Sequence, residues 1–206
     1  MFAARGLFWA AVCAFLRRHV ERNRLPRALC NLSNTRCRYC MPDGGSKFKE
    51  LGERIRSDDS FREELVAKIE VGVNWNVPIA GDEDRNVCQI WASACPVQYC
   101  KHIRSSDWAP LGKVVLDGMY EATLGVAARL SRERGGGRVK VFLTLVGGGA
   151  FGNSMTWIHD AIERAVLKYR GENLEVYLVH YSPVAKGSNQ DKFEKELKRK
   201  LGKARG

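Results

Sequence analysis

The hydrophobic pattern changes period several times along the chain, and each change marks an element. Phe48, Leu51 and Ile55 recur at helical spacing and predict a short helix. Residues 58–69 predict a second helix, with Asp59 and Ser60 as cap-type residues and Phe61, Leu65, Val66 and Ile69 on one face. Val71-Gly72-Val73 opens a strand that runs toward Val77. Residues 78–86 are polar and turn-rich, residues 87–94 form the next strand, and the two strands together suggest a hairpin. Residues 107–132 make the longest helix: Pro110 suits its first turn, and Leu111, Val115, Met119, Ala122, Val126 and Leu130 recur at steps of three or four. Gly135, Gly136 and Gly137 end it. Residues 139–146 are apolar and rich in β-branched side chains, which predicts a strand buried on both faces. Helical spacing then returns at Trp157, Ile158, Ala161, Ile162, Ala165 and Val166. Residues 174–181 are the last strand, closed by Ser182 and Pro183. Residues 190–201 read as a thin amphipathic helix whose stripe is only Phe193, Leu197 and Leu201. Such a stripe is expected to dock on its own domain, and the segment from residue 187 onward to be dispensable for folding.

The order α-α-β-β-α-β-α-β-α places the chain in the α/β class. It predicts a three-layer α/β/α sandwich with a mixed sheet and helices on both faces. In such a fold the ligand belongs at the carboxyl ends of the strands. Ser93-Ala94-Cys95-Pro96, Ser182 and the turn after residue 146 are expected there.

That turn is Gly147, Gly148, Gly149, Ala150, Phe151, Gly152 and Asn153. A strand, a Gly-rich loop and a helix in succession aim backbone N–H groups and a helix N-terminus at one spot, which attracts phosphate. Glycine permits positive φ and close approach of a ligand, so a bulky residue at Gly149 or Gly152 is expected to block the ligand or forbid the backbone. Asn153 is a plausible N-cap. Equally, any α/β domain needs short Gly turns at this place. The run has neither the Gly-Lys-Ser/Thr of a P-loop nor a GxGxxG followed by a distant acidic residue.

Charge changes the picture less than its total suggests. The chain of 206 residues carries +11. Residues 1–40 hold eight Arg and one Glu, or +7, and residues 186–206 hold eight Lys and Arg against three acidic residues, or +5, so the middle is −1. The globular part is near neutral, and its ends are the surfaces for an acidic partner or RNA. Without interleaved aromatic and basic residues, specific RNA recognition is disfavoured. Seven Cys in an α/β sequence favour reduced thiols over a disulfide framework. Cys37, Cys40, Cys95, Cys100 and His102 make a zinc site on paper, but the second pair is spaced too widely, and no metal is expected. No apolar run is long enough to span a bilayer. Residues 6–16 are apolar between Arg5 and Arg17-Arg18. They read as an ordinary first helix, a mitochondrial presequence, a short signal h-region or an atypical start. The cytoplasm is the expected compartment and mitochondria the alternative.

The segment VFLTLVGGGAFGNSMTWIHDAIERAV resembles the second phosphate loop of macrodomains, the ADP-ribose-binding α/β/α modules. Gly147, Gly149, Phe151 and Gly152 match that loop, and the helix with Tyr120-Glu121-Ala122 matches the long helix before it. VGVNWNVPI, QIWASACPVQY and LDGMYEATLGVAA are similar to a macro-like family. The resemblance covers roughly residues 69–185, the second half of the fold. The family's opening strand with its adenine-binding Asp, its Asn-Ala-Ala-Asn strand end and its first Gly-rich loop have no counterpart, and Asn74-Trp75-Asn76 only echoes the Asn pair. The resemblance implies that the amides of Gly148, Gly149, Ala150, Phe151 and Gly152 hold a diphosphate and that Phe151 lies against the adjacent ribose. It divides the chain into a basic N-terminal segment (1–46), a macro-like domain (47–185) and a Lys-rich tail (186–206). The expected function is a monomeric binding module for ADP-ribose or a related nucleotide, with no cofactor. The alternatives are an ADP-ribosyl hydrolase, for which the sequence marks no catalytic residue and Asn153 is the least unsuited, and a non-catalytic basic scaffold with a degenerate site.

Overall fold

The structure is a computed structural model that describes Pro42 and residues 46–203. The basic N-terminal segment, with the run at 6–16 and the Cys37-Cys40 pair, lies outside the described residues. Helix α1 (Ser46–Ser57) and helix α2 (Asp59–Ala67) form the expected pair. The cap of α2 is Asp58, one residue earlier than expected; its carboxylate accepts the Phe61 N–H at 2.9 Å.

Strands β1 (Gly72–Ile79) and β2 (Asp82–Trp91) make the antiparallel hairpin, closed by a tight turn at Ala80 and Gly81. The polar stretch expected to be a loop is thus mostly strand, because the hairpin is exposed there and tolerates polar side chains. Asn76, with φ 55°, takes up a left-handed conformation at a register shift and bulges β1.

Helix α3 (Ser105–Glu133), strand β3 (Val139–Thr144), helix α4 (Met155–Lys168), strand β4 (Leu174–Val179) and helix α5 (Asn189–Lys203) complete the described chain. No helix among the described residues is long and apolar enough to cross a membrane.

The class is mixed α/β, but the described strands form two separate two-stranded sheets, antiparallel β1–β2 and parallel β3–β4, in place of one mixed sheet. β3 also departs from expectation. Val141 and Leu143 are buried, while Phe142 is 64 % exposed and stacks on Tyr177 of β4 at 5.2 Å. Its apolar run therefore does not mean burial on both faces; one face of this sheet is uncovered.

The core is built around α3, whose buried residues include Trp108, Leu111, Val114, Leu116, Met119, Tyr120 and Leu124 and so face every direction. α1 meets it through Phe48 against Trp108, rings 5.2 Å apart and edge-on. α2 meets it at Gly118, where a Cβ would lie 2.4 Å from Ile69 Cβ and 2.8 Å from the Val66 carbonyl oxygen. α5 docks as its stripe suggests: Leu197 is buried, Phe193 stacks on His159 at 4.1 Å, and Lys200 pairs with Glu163.

Two carboxylates on α3, Asp117 and Glu121, are buried, and both are paired. Arg62 of α2 binds Asp117, while Arg164 and Lys168 of α4 bind Glu121. Arg164 also reaches Glu63 of α2 at 2.9 Å, closing a network across three helices. Burial pushes the Asp117 carboxyl up to about 6, against the pull of Arg62 and Arg164. The Arg164 hydrogen bond holds Glu63 below its ordinary value.

Two predictions follow from this packing. Gly118→Ala forces α2 and α3 apart at a backbone contact and is expected to cost about 1–3 kcal/mol, read as a lowered melting temperature; an unchanged melt would mean that the approach is not tight. Asp117 keeps its proton to about pH 6 in the folded chain against an ordinary value of 3.8. The native state therefore binds more protons between about pH 4 and 6, and the stability owed to this group falls as pH rises through that window. Relative to Asp117→Asn, the wild type should lose about 2–3 kcal/mol across it in urea denaturation. A difference that stays flat with pH would contradict the raised value.

Candidate functional site

The Gly loop joins β3 to α4, and its entry is fixed from α3. Tyr120 donates its hydroxyl to the Thr144 carbonyl at 2.7 Å and accepts the Val146 N–H at 3.0 Å. Burial raises the pKa of this phenol, so it stays protonated and can serve both bonds.

The loop then folds on itself. The Gly148 N–H binds the Leu145 carbonyl, the Gly152 N–H binds Gly149, and the Asn153 N–H binds Gly147 at 2.9 Å. Three of its amides are therefore spent inside the loop, including two of the five that the family resemblance assigns to a diphosphate. The N–H groups of Gly149 and Ala150, at the exposed tip, have no partner among the described residues.

The segment after β2 props the loop from the other side, as the rule of carboxyl ends predicted for Ser93-Ala94-Cys95-Pro96. Asn153 is only 4 % exposed and donates its amide to the Cys95 carbonyl at 2.7 Å. Gly147 (φ +87°) abuts Ala94, where a Cβ would sit 2.4 Å from the Ala94 Cβ. Gly152 (φ +67°) abuts Gln98, whose N–H binds the Phe151 carbonyl at 3.0 Å. Tyr99 meets the Phe151 ring edge-on at 5.5 Å. These two glycines are thus required by the protein's own packing. Gly149 is not: its φ is ordinary, and a Cβ there would meet nothing within 4 Å.

Asn153 is not the N-cap. That position is Ser154, whose side chain makes no capping bond, so the first turn of α4 has no side-chain acceptor among the described residues. Asn153 is a buried staple between loop and strand end. Its Oδ1 has no partner among the described residues and faces α3 at Gly112. Ser182 lies exposed beyond β4. Gln98, Tyr99 and Tyr120 escaped the sequence reading as props, since the contacts span 53, 52 and 24 to 26 residues and leave no local period. Cys95 and Cys100 are buried, and no cluster of three metal-ligating side chains occurs among the described residues.

This geometry separates the glycines by experiment. Gly147→Ala and Gly152→Ala are each expected to lower stability by about 1–3 kcal/mol, because both must hold a positive φ. Gly149→Val should stay within about 0.5 kcal/mol of wild type. Thermal melts of the three variants check this, and a destabilised Gly149→Val would show that the tip is packed. Compared with known proteins, the chain matches no family model, no curated protein and no solved structure, so the reading of this loop rests on its own geometry.

Proposed function

We propose that the chain is a macrodomain-like binding module, the second half of an α/β/α arrangement, and that its Gly loop takes the diphosphate of ADP-ribose or a related nucleotide. The observation that carries this reading is the loop tip. The N–H groups of Gly149 and Ala150 meet no acceptor among the described residues, and the loop leads into α4, where the N-cap residue Ser154 makes no capping bond. Backbone dipoles and a helix N-terminus suffice for an anion, so the lack of Lys and Arg in the loop is no obstacle. Phe151, half-buried beside Tyr99, supplies a ring for the adjacent sugar.

The rival readings are weaker. The hydrolase reading loses its candidate, since Asn153 is buried with its amide committed to backbone carbonyls. A scaffold binding acidic partners through its tail has fewer free cations than the count suggests: Lys195, Arg199 and Lys200 are paired with Asp191, Glu196 and Glu163.

Calorimetric titration of ADP-ribose and of inorganic phosphate into wild type, Gly149→Val and Phe151→Ala tests the reading, with melts in parallel. Gly149→Val is the informative variant because it leaves the fold alone; it should weaken ADP-ribose at least tenfold. Phe151→Ala should weaken ADP-ribose more than phosphate. No wild-type heat at millimolar ADP-ribose would make the loop a turn and nothing more.

A further inference from the structure

A second feature, independent of the Gly loop's ligand, lies between the two sheets. Among the described residues β2 pairs only with β1 and β3 only with β4, so each strand keeps one edge of unpaired N–H and C=O groups. Residues of β2 and of β3 line opposite parts of one open groove of about 640 Å³. Asn153 ties the loop that follows β3 to the segment that follows β2, at the Cys95 carbonyl.

The floor of the groove is α3. Met119, Val126 and Leu130, part of the apolar stripe that the sequence pattern singles out, lie there with Thr123 between them. The stripe is buried as far as Met119 and only half-buried at Val126 and Leu130. A helix face with this period is built to be covered, and no described element covers it. At the amino end of β3 stand Arg134, Arg138 and Lys140, all exposed and none with a carboxylate partner among the described residues. Among the described residues no Asp or Glu lines the groove.

We propose that this groove receives an extended segment of a partner protein as an added β-strand, apolar at alternate residues and acidic at the end that meets Arg134 and Arg138. The free edges on both walls supply main-chain hydrogen bonds to the segment. Alternate side chains point down onto Val126 and Leu130, and those between point to solvent beside Phe142. The three unpaired cations select an acidic end. The chain's own N-terminal segment lacks such an acidic end: residues 6–16 are apolar and uncharged, and Glu21 is the single acidic residue in 1–40.

The test uses the full chain and two eight-residue peptides. Each alternates Thr and Val over six positions, and two Glu are placed at the amino end of one and at the carboxyl end of the other, which covers both strand directions. One of them should bind, and hydrogen exchange should slow in residues 86–92 and 139–144. An N-methylated copy of that peptide, unable to donate along one edge, should not bind. Arg134→Glu with Arg138→Glu should weaken binding at least tenfold and transfer it to the peptide that carries two Lys in place of Glu. Three results overturn the proposal: neither peptide binds, binding leaves exchange in both strands unchanged, or both edges are already protected in the free chain, which would mean that a segment of the chain itself fills the groove.

Discussion

The fold depends on α3 being packed on every side between Trp108 and Glu121 while carrying two carboxylates there. A buried carboxylate is tolerated only where a cation and hydrogen bonds satisfy it. Asp117 and Glu121 therefore dictate what can pack beside them: α2 must present Arg62, and α4 must present Arg164 and Lys168. Apolar contacts supply the bulk of the attraction, but the ion pairs fix which face of each neighbour turns inward. Gly118, one residue from Asp117, lets α2 come close enough for the Arg62 pair to form.

The helices were legible in the sequence because each has a strong apolar period and tertiary packing agrees with it. Phe61, Leu65 and Val66 on α2, and Trp157, Ile158 and Ala161 on α4, lie buried as their spacing indicates. The strands were legible in existence and order but not in environment. Residues 139–146 read as doubly buried because their apolar content outweighs the alternation of Lys140 and Thr144, which share the exposed face with Phe142. Phe142 is nevertheless exposed, and whether a second layer covers it depends on elements that local pattern does not reveal. The same limit explains the expected single sheet: alternation of strands and helices gives the class, while pairing partners are long-range facts.

The Gly loop shows a different limit. Its composition suggests one purpose for all the glycines, and the backbone divides them. Gly147 and Gly152 serve the left-handed turns and the close approach of the Ala94 and Gln98 segment. Gly149 serves neither: a Cβ there would meet nothing within 4 Å. Asn153 was legible as important and misread in role, because a side chain that caps a helix and one that staples a loop to a strand end occupy nearly the same place in the chain.

The Glu63–Arg164 bond bears on the order in which the chain assembles. Its partners are 101 residues apart, whereas the β1–β2 hairpin and the β3–α4–β4 unit each close within a few tens of residues. Closing the longer loop costs more entropy, so the two local units are expected to form first and the clasp of α2, α3 and α4 to close late. Substitutions at either end of the clasp should then hasten unfolding while leaving the rate of folding nearly untouched. The clasp acts as a latch on a finished structure, and it governs how long the protein stays folded more than how quickly it gets there.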